Sequence, residues 1–297
     1  MTTAPAIRDL AIREPALPVE FSPRAREALE ASLSPNARRA YRAQWRLWEE
    51  WCGQRNIPPL GGDPGHLVEY LAERAAVSRL ATVRASAQAI SFGHRAAGLA
   101  SPTNTELVRS CLRGLARTVG TPQRQVGALT DEALASVRAT CTDLLTLTLV
   151  HTTSDAGLRR SEAAELVWGD VKLWEDGSGR LTVRRSKTDQ EGEGAVVAVT
   201  PRTYRYLEDL RGDQGEGERV FPLSPSQIAR RIKRACQAAG LGDEFSGHSG
   251  RIGMARRMAA KGSPDSIIMR QGRWRSPQMV SVYTRGESAG EALRYLS

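Results

Sequence analysis

The sequence predicts a mainly α-helical protein in which two domains follow one another and only the second carries a small β-hairpin. Helix-start signals recur along the chain, amphipathic runs follow most of them, and only one stretch has a strong strand pattern. The chain has 297 residues, of which 40% are hydrophobic, so it is long enough to build two cores of ordinary size.

Ser-Pro pairs mark most of the predicted helix starts. A serine before the first turn accepts a hydrogen bond from a free backbone N–H, and proline suits the first helical position because its missing N–H would have no partner there. Such pairs stand at 22–23, 34–35, 101–102, 224–225, 263–264 and 276–277.

The first predicted domain spans residues 22–118 and is all helical. Within it, Tyr41, Trp45, Trp48 and Cys52 recur at helical spacing, while arginines fill the other side of the same segment. An aromatic stripe at this spacing is more typical of a core than of a ligand site. We therefore expect these four side chains to pack inside the first domain.

Two segments outside the first domain lack helical periodicity. Residues 1–21 are rich in Pro and Ala and predict a flexible tail, and residues 119–129 contain Gly and Pro and predict a linker. The second domain, residues 130–297, is predicted to be mostly helical, with a hairpin of strands at 180–185 and 195–199 joined by a polar loop. Its helices are predicted at about 130–152, 157–168, 201–211, 224–239, 248–261, 264–271, 276–285 and 288–296; those of the first domain follow Ser34 and lie at about 64–76, 79–96 and 103–118.

The charge of the chain favours nucleic acid as a partner. The net charge is +9, and all but four of the 42 basic residues are arginine, whose planar guanidinium matches phosphate oxygens. A GC-rich genome would also enrich arginine, so composition alone leaves both explanations open. Because the sequence has no membrane-length apolar run, no signal pattern and no paired cysteine spacing, we expect a cytoplasmic, nucleoid-associated protein with reduced thiols.

Three short segments carry residues suited to phosphate chemistry. They are Gly-Leu-Arg-Arg-Ser-Glu at 157–162, His-Ser-Gly-Arg at 248–251, and Gly-Arg-Trp at 272–274, which leads on to Tyr283. Each has an ordinary alternative when it stands alone. The segment 157–162 would hold a surface ion pair, and the segment 248–251 would be polar surface. A tyrosine in an amphipathic helix, such as Tyr283, is by default a buried aromatic.

Taken together, these segments resemble the signature of the tyrosine recombinase (phage integrase) family. That signature has an Arg in a Gly-Leu-Arg-x-x-Glu turn, a Lys on a β-hairpin, His-x-x-Arg, a His or Trp, and a Tyr nine residues later. The resemblance covers about residues 25–297 and is strongest to simple two-domain members, whose N-terminal core-binding domain is helical and SAM-like. Its six positions fall on Arg159, Lys187, His248, Arg251, Trp274 and Tyr283.

The resemblance implies that Tyr283 is a nucleophile that joins the cut strand to the protein as a 3′-phosphotyrosine. A tyrosine can serve as a covalent nucleophile, and because its ordinary pKa is about 10 it must lose its proton during attack. Lys187, at the predicted hairpin tip, would be the general acid for the 5′ oxygen, since lysine can give up a proton at working pH and arginine cannot.

A second group would hold the phosphate. Arg159 and Arg251 would bind its non-bridging oxygens, and His248 and Trp274 would donate further hydrogen bonds. His248 could instead accept the tyrosine proton. Glu162, one turn after Arg159, is assigned a supporting role because it can hold that guanidinium. Arg160 and Arg185 are weaker phosphate candidates.

No metal or other cofactor is expected. The four histidines lie far apart in the sequence without clustered carboxylates, and no Gly-rich phosphate loop is followed by Lys-Ser/Thr. Because a phosphotyrosine bond would keep the energy of the broken phosphodiester, the proposed chemistry needs neither Mg²⁺ nor ATP.

The resemblance also implies partners. It predicts a double-stranded DNA target site, a dimer on one site and a tetramer in the synapse, with the C-terminal helix at 288–297 docking in trans on a neighbouring subunit. Most affinity would come from phosphate contacts. Side chains that read bases in the major groove are predicted on two helices: Arg84, Gln88, Arg230, Arg231 and Arg234.

Two other functions fit parts of the pattern. A type IB topoisomerase uses a similar Arg, Lys, His and Tyr set but relaxes supercoils as a monomer. A decayed integrase would only bind DNA. A covalent protein–DNA complex would exclude the decayed integrase. Comparing supercoil relaxation with two-site recombination would distinguish a topoisomerase from a recombinase.

Overall fold

The computed structural model describes residues 34–118, 126–184 and 194–284, together with Arg24. The chain divides into two compact units, Met1–Gln123 and Arg124–Ser297. Over its described residues each unit is mainly helical, and the second also holds a three-stranded antiparallel sheet. The predicted fold class is thus confirmed.

Two helices of the first unit begin directly after a capping side chain, that of Ser34 or Asp63. The described helices are α1 (Pro35–Gln54), α2 (Pro64–Val77), α3 (Leu80–Ala96) and α4 (Glu106–Thr118). Ser34 caps α1 by accepting a hydrogen bond from the Ala37 N–H at 3.2 Å. Ser101 instead opens a short 3₁₀ turn, Pro102–Asn104, so the helix predicted from 103 begins three residues later.

The predicted aromatic stripe forms the core of the first unit. Trp45 and Trp48 are 1% and 3% exposed, Cys52 is fully buried, and Tyr41, which is half-buried, packs against Phe92. The approach of α1 to α3 depends on Gly93, because a Cβ there would lie 2.2 Å from the Trp45 ring. Two helices therefore interlock through one tryptophan and one glycine.

The second unit packs its helices around the sheet. Its described helices are α5 (Asp131–Thr140), α6 (Leu144–Asp155), α7 (Arg160–Glu165), α8 (Pro201–Arg211), α9 (Pro225–Ala238), α10 (Ser249–Ala260), α11 (Asp265–Gly272) and α12, at 277–284. Its core includes Trp168, Leu181 and Phe221, each no more than 1% exposed. Leu129, at the end of the predicted linker, is fully buried in the same core.

The sheet extends the predicted hairpin by one strand. Strands β2 (Gly179–Val183) and β3 (Ala195–Val199) pair antiparallel, as predicted, with Leu181 opposite Val197. The additional strand β1 (Val171–Leu173) pairs with the other edge of β2. Only three residues long, β1 is too short to show alternation in the sequence. The loop at 185–193 lies outside the described residues.

Two predicted helices have different bounds. The helix predicted at 130–152 is two helices, because Cys141 adopts an extended backbone and Asp143 begins α6 anew. Apolar spacing continues across this break, so periodicity alone does not reveal it. The helix predicted at 157–168 is reduced to Arg160–Glu165. None of the described helices combines the length and apolar character that crossing a membrane requires.

Candidate active site

Helix α10 carries the His-Ser-Gly-Arg motif into the middle of the second unit. Its close packing depends on glycine: a Cβ on Gly250 would lie 3.0 Å from the backbone of Thr153, and one on Gly253 would lie 2.2 Å from the Leu129 carbonyl oxygen. Because α10 can approach this closely, Arg251 on its first turn is only 1% exposed.

The buried Arg251 guanidinium is held by backbone carbonyls and an aromatic ring. Nη1 donates to the Gly157 carbonyl at 2.6 Å, Nη2 donates to the Gly272 carbonyl, and the guanidinium carbon lies 4.4 Å from the centre of the Trp274 ring. Burial, followed by the charges of Arg159 and Arg273, lowers the pKa of Arg251 to about 9. The side chain is therefore a desolvated cation, which an incoming anion would stabilise.

Arg159 and Glu162 form the second part of the site at the start of α7. The Glu162 carboxylate accepts hydrogen bonds from the Arg159 backbone N–H at 2.8 Å and from its Nη1 at 2.6 Å. The preceding turn needs Gly157, whose φ is +55°, and a Cβ there would also meet the Met254 side chain at 2.6 Å. The predicted supporting contact between Glu162 and Arg159 is present.

Arg273 is a member of the site that the sequence did not predict. Its Nη2 donates to Glu162 at 2.7 Å and to the Gly157 carbonyl at 2.8 Å, and its Nη1 donates to the Ala156 carbonyl at 3.0 Å. Its backbone is left-handed, with φ 52° and ψ 48°, a conformation that favours glycine. Neither motif nor periodicity marks it; its position beside Trp274 was the only available signal.

Glu162 is the counter-charge at the centre of this group. Burial would raise its pKa, but Arg273 and then the hydrogen bonds and charge of Arg159 outweigh burial and hold the pKa below its usual value. Arg159, Arg251, Arg273 and Glu162 are called the arginine cluster below. Its three guanidinium groups lie near the Glu162 carboxylate in a largely buried place.

Tyr283 lies on α12 beside this cluster. Its ring stacks on Trp274, with centroids 5.5 Å apart and planes at 30°, and its charge when ionised would interact with Arg251. The ring is half-buried in a small core that includes Met254 and Val280. Tyr283 is therefore a packed aromatic, as its place in an amphipathic helix suggests, and it lies next to Trp274.

His248 stands at the N-terminal end of α10, where its side chain remains exposed. Desolvation by neighbouring protein groups, followed by the charges of Arg251, Arg159 and Arg160, lowers the pKa of its imidazole. A neutral ring at neutral pH can donate from one nitrogen and accept at the other. Either predicted role, donor to phosphate or acceptor of the tyrosine proton, is chemically available to it.

The remaining predicted phosphate-site residues are either exposed or outside the described residues. Lys187 and Arg185 fall in the segment 185–193, outside the described residues. Arg160 is exposed. Among the described residues, no group of three or more His, Cys, Asp or Glu side chains is placed to hold a metal ion.

The predicted base-reading residues occupy two helices in different units. Arg84 and Gln88 are exposed one turn apart on α3, and Arg230 and Arg234 are exposed one turn apart on α9. Arg231 differs, because its Nη1 donates to Asp143 at 2.6 Å and to the Thr146 hydroxyl at 3.0 Å, which ties it to the start of α6.

Comparison with known proteins places the chain in a family. The model of the phage integrase family matches residues 122–289. The chain is 27% identical over 291 residues to the integrase/recombinase xerD homolog of Selenomonas ruminantium, which covers 89% of this chain and 85% of the relative. It is 24% identical over 277 residues to the recombinase cre of Escherichia phage P1, and the alignment covers 81% of this chain and 81% of that protein.

Solved structures share the fold at lower identity. The XerH site-specific recombinase bound to a palindromic difH substrate has a TM-score of 0.65 and 15% identity, covering 90% of this chain and 81% of that one. The Tn1549 transposon integrase in complex with transposon right-end DNA has a TM-score of 0.66 and 12% identity, covering 98% and 100%. Because the family model matches more than half of its length, this chain belongs to the phage integrase family, the tyrosine recombinases.

Proposed function

We propose that this tyrosine recombinase cleaves and rejoins DNA at specific sites through a covalent 3′-phosphotyrosine intermediate on Tyr283. The observation that carries the proposal is the grouping around Arg251, which contacts the Trp274 ring on which Tyr283 stacks. The chain's relatives include proteins named as recombinases and integrases, which is consistent with this chemistry.

The arginine cluster supplies the electrostatic part of the reaction. A phosphodiester entering beside Arg159 and Arg251 would place its non-bridging oxygens next to two guanidinium groups, of which that of Arg251 is buried. Guanidinium groups already held by carbonyls and Glu162 need little reorganisation when charge grows on the non-bridging oxygens. Arg273 acts through Glu162 and the carbonyls at 156 and 157, so we assign it a positioning role.

The bond changes balance without an outside reactant. The Tyr283 hydroxyl oxygen attacks phosphorus, its proton passes to a base, and the bond from phosphorus to the 5′ oxygen breaks. His248 is the candidate base and Lys187 the candidate acid that protonates the leaving 5′ oxygen. Attack by a 5′ hydroxyl from another strand reverses these steps and restores Tyr283.

A covalent trap tests the proposal. A duplex found by binding-site selection is nicked close to the cleavage point, so that the short 5′-hydroxyl fragment diffuses away and the intermediate accumulates. The wild-type protein is expected to become attached to the labelled strand, whereas Tyr283→Phe is expected to bind the duplex without attachment. A protein that binds and never attaches, with any substrate, contradicts the enzymatic function.

Two-site recombination beside plasmid relaxation distinguishes recombinase from topoisomerase-like activity. We expect exchange between two copies of the selected site and little relaxation of a plasmid that lacks it. Efficient relaxation of such a plasmid without any recombination would favour the type IB alternative.

We further propose that the protein acts on nucleoid DNA in the cytoplasm, as a dimer on one site and a tetramer in the synapse. A solved structure with the shared fold is a lambda integrase tetramer bound to a Holliday junction. The trans-docking helix proposed at 288–297 lies outside the described residues. Deleting residues 288–297 is expected to leave duplex binding intact and to impair synapsis, measured by gel shift with one and two sites. Normal recombination by the truncated protein would contradict the docking.

A further inference from the structure

A second basic site lies in the second unit, apart from the predicted active site. It is a cavity of about 550 Å³ lined by side chains from α5, α6, α8 and α10. The predicted catalytic and base-reading residues that the structure describes do not line it. Its volume lies in the range of small-molecule sites in proteins, and it exceeds what a single water or ion needs.

Positive charge dominates the lining of this cavity. The cations are Arg138, Arg202, Arg205, Arg257 and Lys261, and within the described part of the chain the lining carboxylates are those of Asp131 and Asp155. Both carboxylates are already engaged. Asp131 pairs with Arg257 and Lys261 at 3.3 and 3.7 Å, and Asp155 pairs with Arg257 at 3.3 Å.

Further hydrogen bonds to Asp155 reduce what it can offer the remaining arginines. One of its oxygens accepts from the Thr200 and Thr203 hydroxyls at 2.7 and 2.6 Å. Among the described residues, no carboxylate lies within ion-pair distance of Arg138, Arg202 or Arg205. Three guanidinium groups therefore line one cavity without an ion pair to any described carboxylate.

A buried imidazole supplies a second, independent sign of a missing ligand. His151 is 4% exposed and packs edge-on against Tyr206, with ring centroids 5.2 Å apart. His151 and Arg257 both line the cavity, and the buried Nε2 of His151 and Nε of Arg257 have no hydrogen-bond partner among the described residues. Burial is the main cause that lowers the His151 pKa to about 4, so the ring is neutral at ordinary pH and keeps one N–H to donate.

We propose that this cavity binds a phosphate group, with Arg138, Arg202 and Arg205 as its principal ligands and His151 and Arg257 at its inner wall. Guanidinium groups bind phosphate oxygens through two parallel hydrogen bonds, and three such groups suit an anion of more than one charge. The group could belong to a free phosphorylated molecule or to the DNA backbone. The recessed His151 favours the free molecule. The proposal does not depend on the chemistry proposed for Tyr283.

Matched variants of the full chain isolate the cavity from the active site. Arg202→Gln/Arg205→Gln removes two cavity cations, and Arg211→Gln/Arg219→Gln removes the same charge from residues that do not line it. Inorganic pyrophosphate is titrated by calorimetry at constant ionic strength, and a duplex of random sequence is titrated in parallel. Any binding at the arginine cluster is common to all the proteins, so only the difference between the two variants reports on the cavity.

Each outcome decides the proposal. We expect saturable pyrophosphate binding that weakens about tenfold or more in the cavity variant and stays unchanged in the matched variant. If pyrophosphate binding is equal in both but duplex affinity falls only in the cavity variant, the phosphate belongs to DNA. If neither ligand distinguishes the cavity variant from the matched variant, while both proteins keep the wild-type circular dichroism spectrum, the proposal is wrong.

Discussion

The aromatic core of the first unit and the arginine cluster of the second bury large side chains for opposite reasons. Burial of Trp45, Trp48 and Cys52 away from water stabilises the fold, and their contacts complete a core. Arg251 and Arg273 leave water at a cost, which carbonyls and Glu162 offset only in part. Buried apolar side chains, which stabilise the fold, thus identify the core of the first unit. Buried charged side chains, which destabilise it, identify the candidate site of the second unit.

The largest expected effect lies in the first unit. Trp45→Ala removes a fully buried ring next to Gly93 and should lower the free energy of unfolding of that unit by about 4 kcal/mol. Urea denaturation followed by far-ultraviolet circular dichroism measures the loss. A change below about 1 kcal/mol would show that this ring does not hold α1 to α3, and would weaken the contrast between the two regions.

An effect on catalysis rather than folding should come from the arginine cluster. Arg159→Gln is expected to slow covalent attachment to a nicked site about 10²- to 10³-fold, because one donor to the developing charge is lost. The neighbouring Arg160, which is exposed, provides the control. Single-turnover trapping of Arg159→Gln and Arg160→Gln measures both. Equal loss in the two variants would mean that the family motif does not single out Arg159.

A smaller effect should follow from removing the counter-charge itself. Glu162→Gln removes the carboxylate that pairs with Arg159 and Arg273 and should reduce stability by about 2 kcal/mol at neutral pH. The control is Glu50→Gln, whose exposed pair with Arg46 at 3.7 Å should matter by less than about 0.5 kcal/mol. Urea denaturation of both variants compares a buried with an exposed ion pair.

The pH dependence of stability tests whether Glu162 is ionised in the folded protein. Because the folded-state pKa of Glu162 lies below its ordinary value of 4.5, its contribution is complete above that pH and is lost as the pH falls through the folded-state value. The stability difference between wild type and Glu162→Gln should therefore shrink below pH 4.5. A difference that grows on acidification would contradict the assigned charge state.

The features that could be predicted from the sequence are those that depend on the spacing of residue types along the chain. Ser34 and Ser224 predicted helix starts, and the aromatic stripe predicted the core of the first unit. The motifs predicted that Arg159, Arg251 and Tyr283 lie close together. Spacing carries such information because helices and strands repeat at fixed intervals.

What escaped prediction depends on local backbone geometry and on tertiary contacts. Arg273 joins the site through a left-handed backbone and hydrogen bonds to residues more than 100 positions away, and no local pattern encodes either. The break at Asp143 was hidden by apolar residues on both sides. The proposed phosphate cavity brings together cations from α5, α8 and the end of α10 with His151 of α6, and in the sequence each of these segments has an ordinary polar surface.

Mapping the covalent attachment is the most direct test of the central claim, that a packed aromatic on α12 is also the nucleophile. The trapped protein–DNA complex is digested with nuclease and protease, and the peptide that retains a nucleotide is identified by mass spectrometry. The account predicts a nucleotide on Tyr283 in the wild type and no adduct with Tyr283→Phe. A nucleotide on another residue, or a stable adduct in Tyr283→Phe, would contradict it.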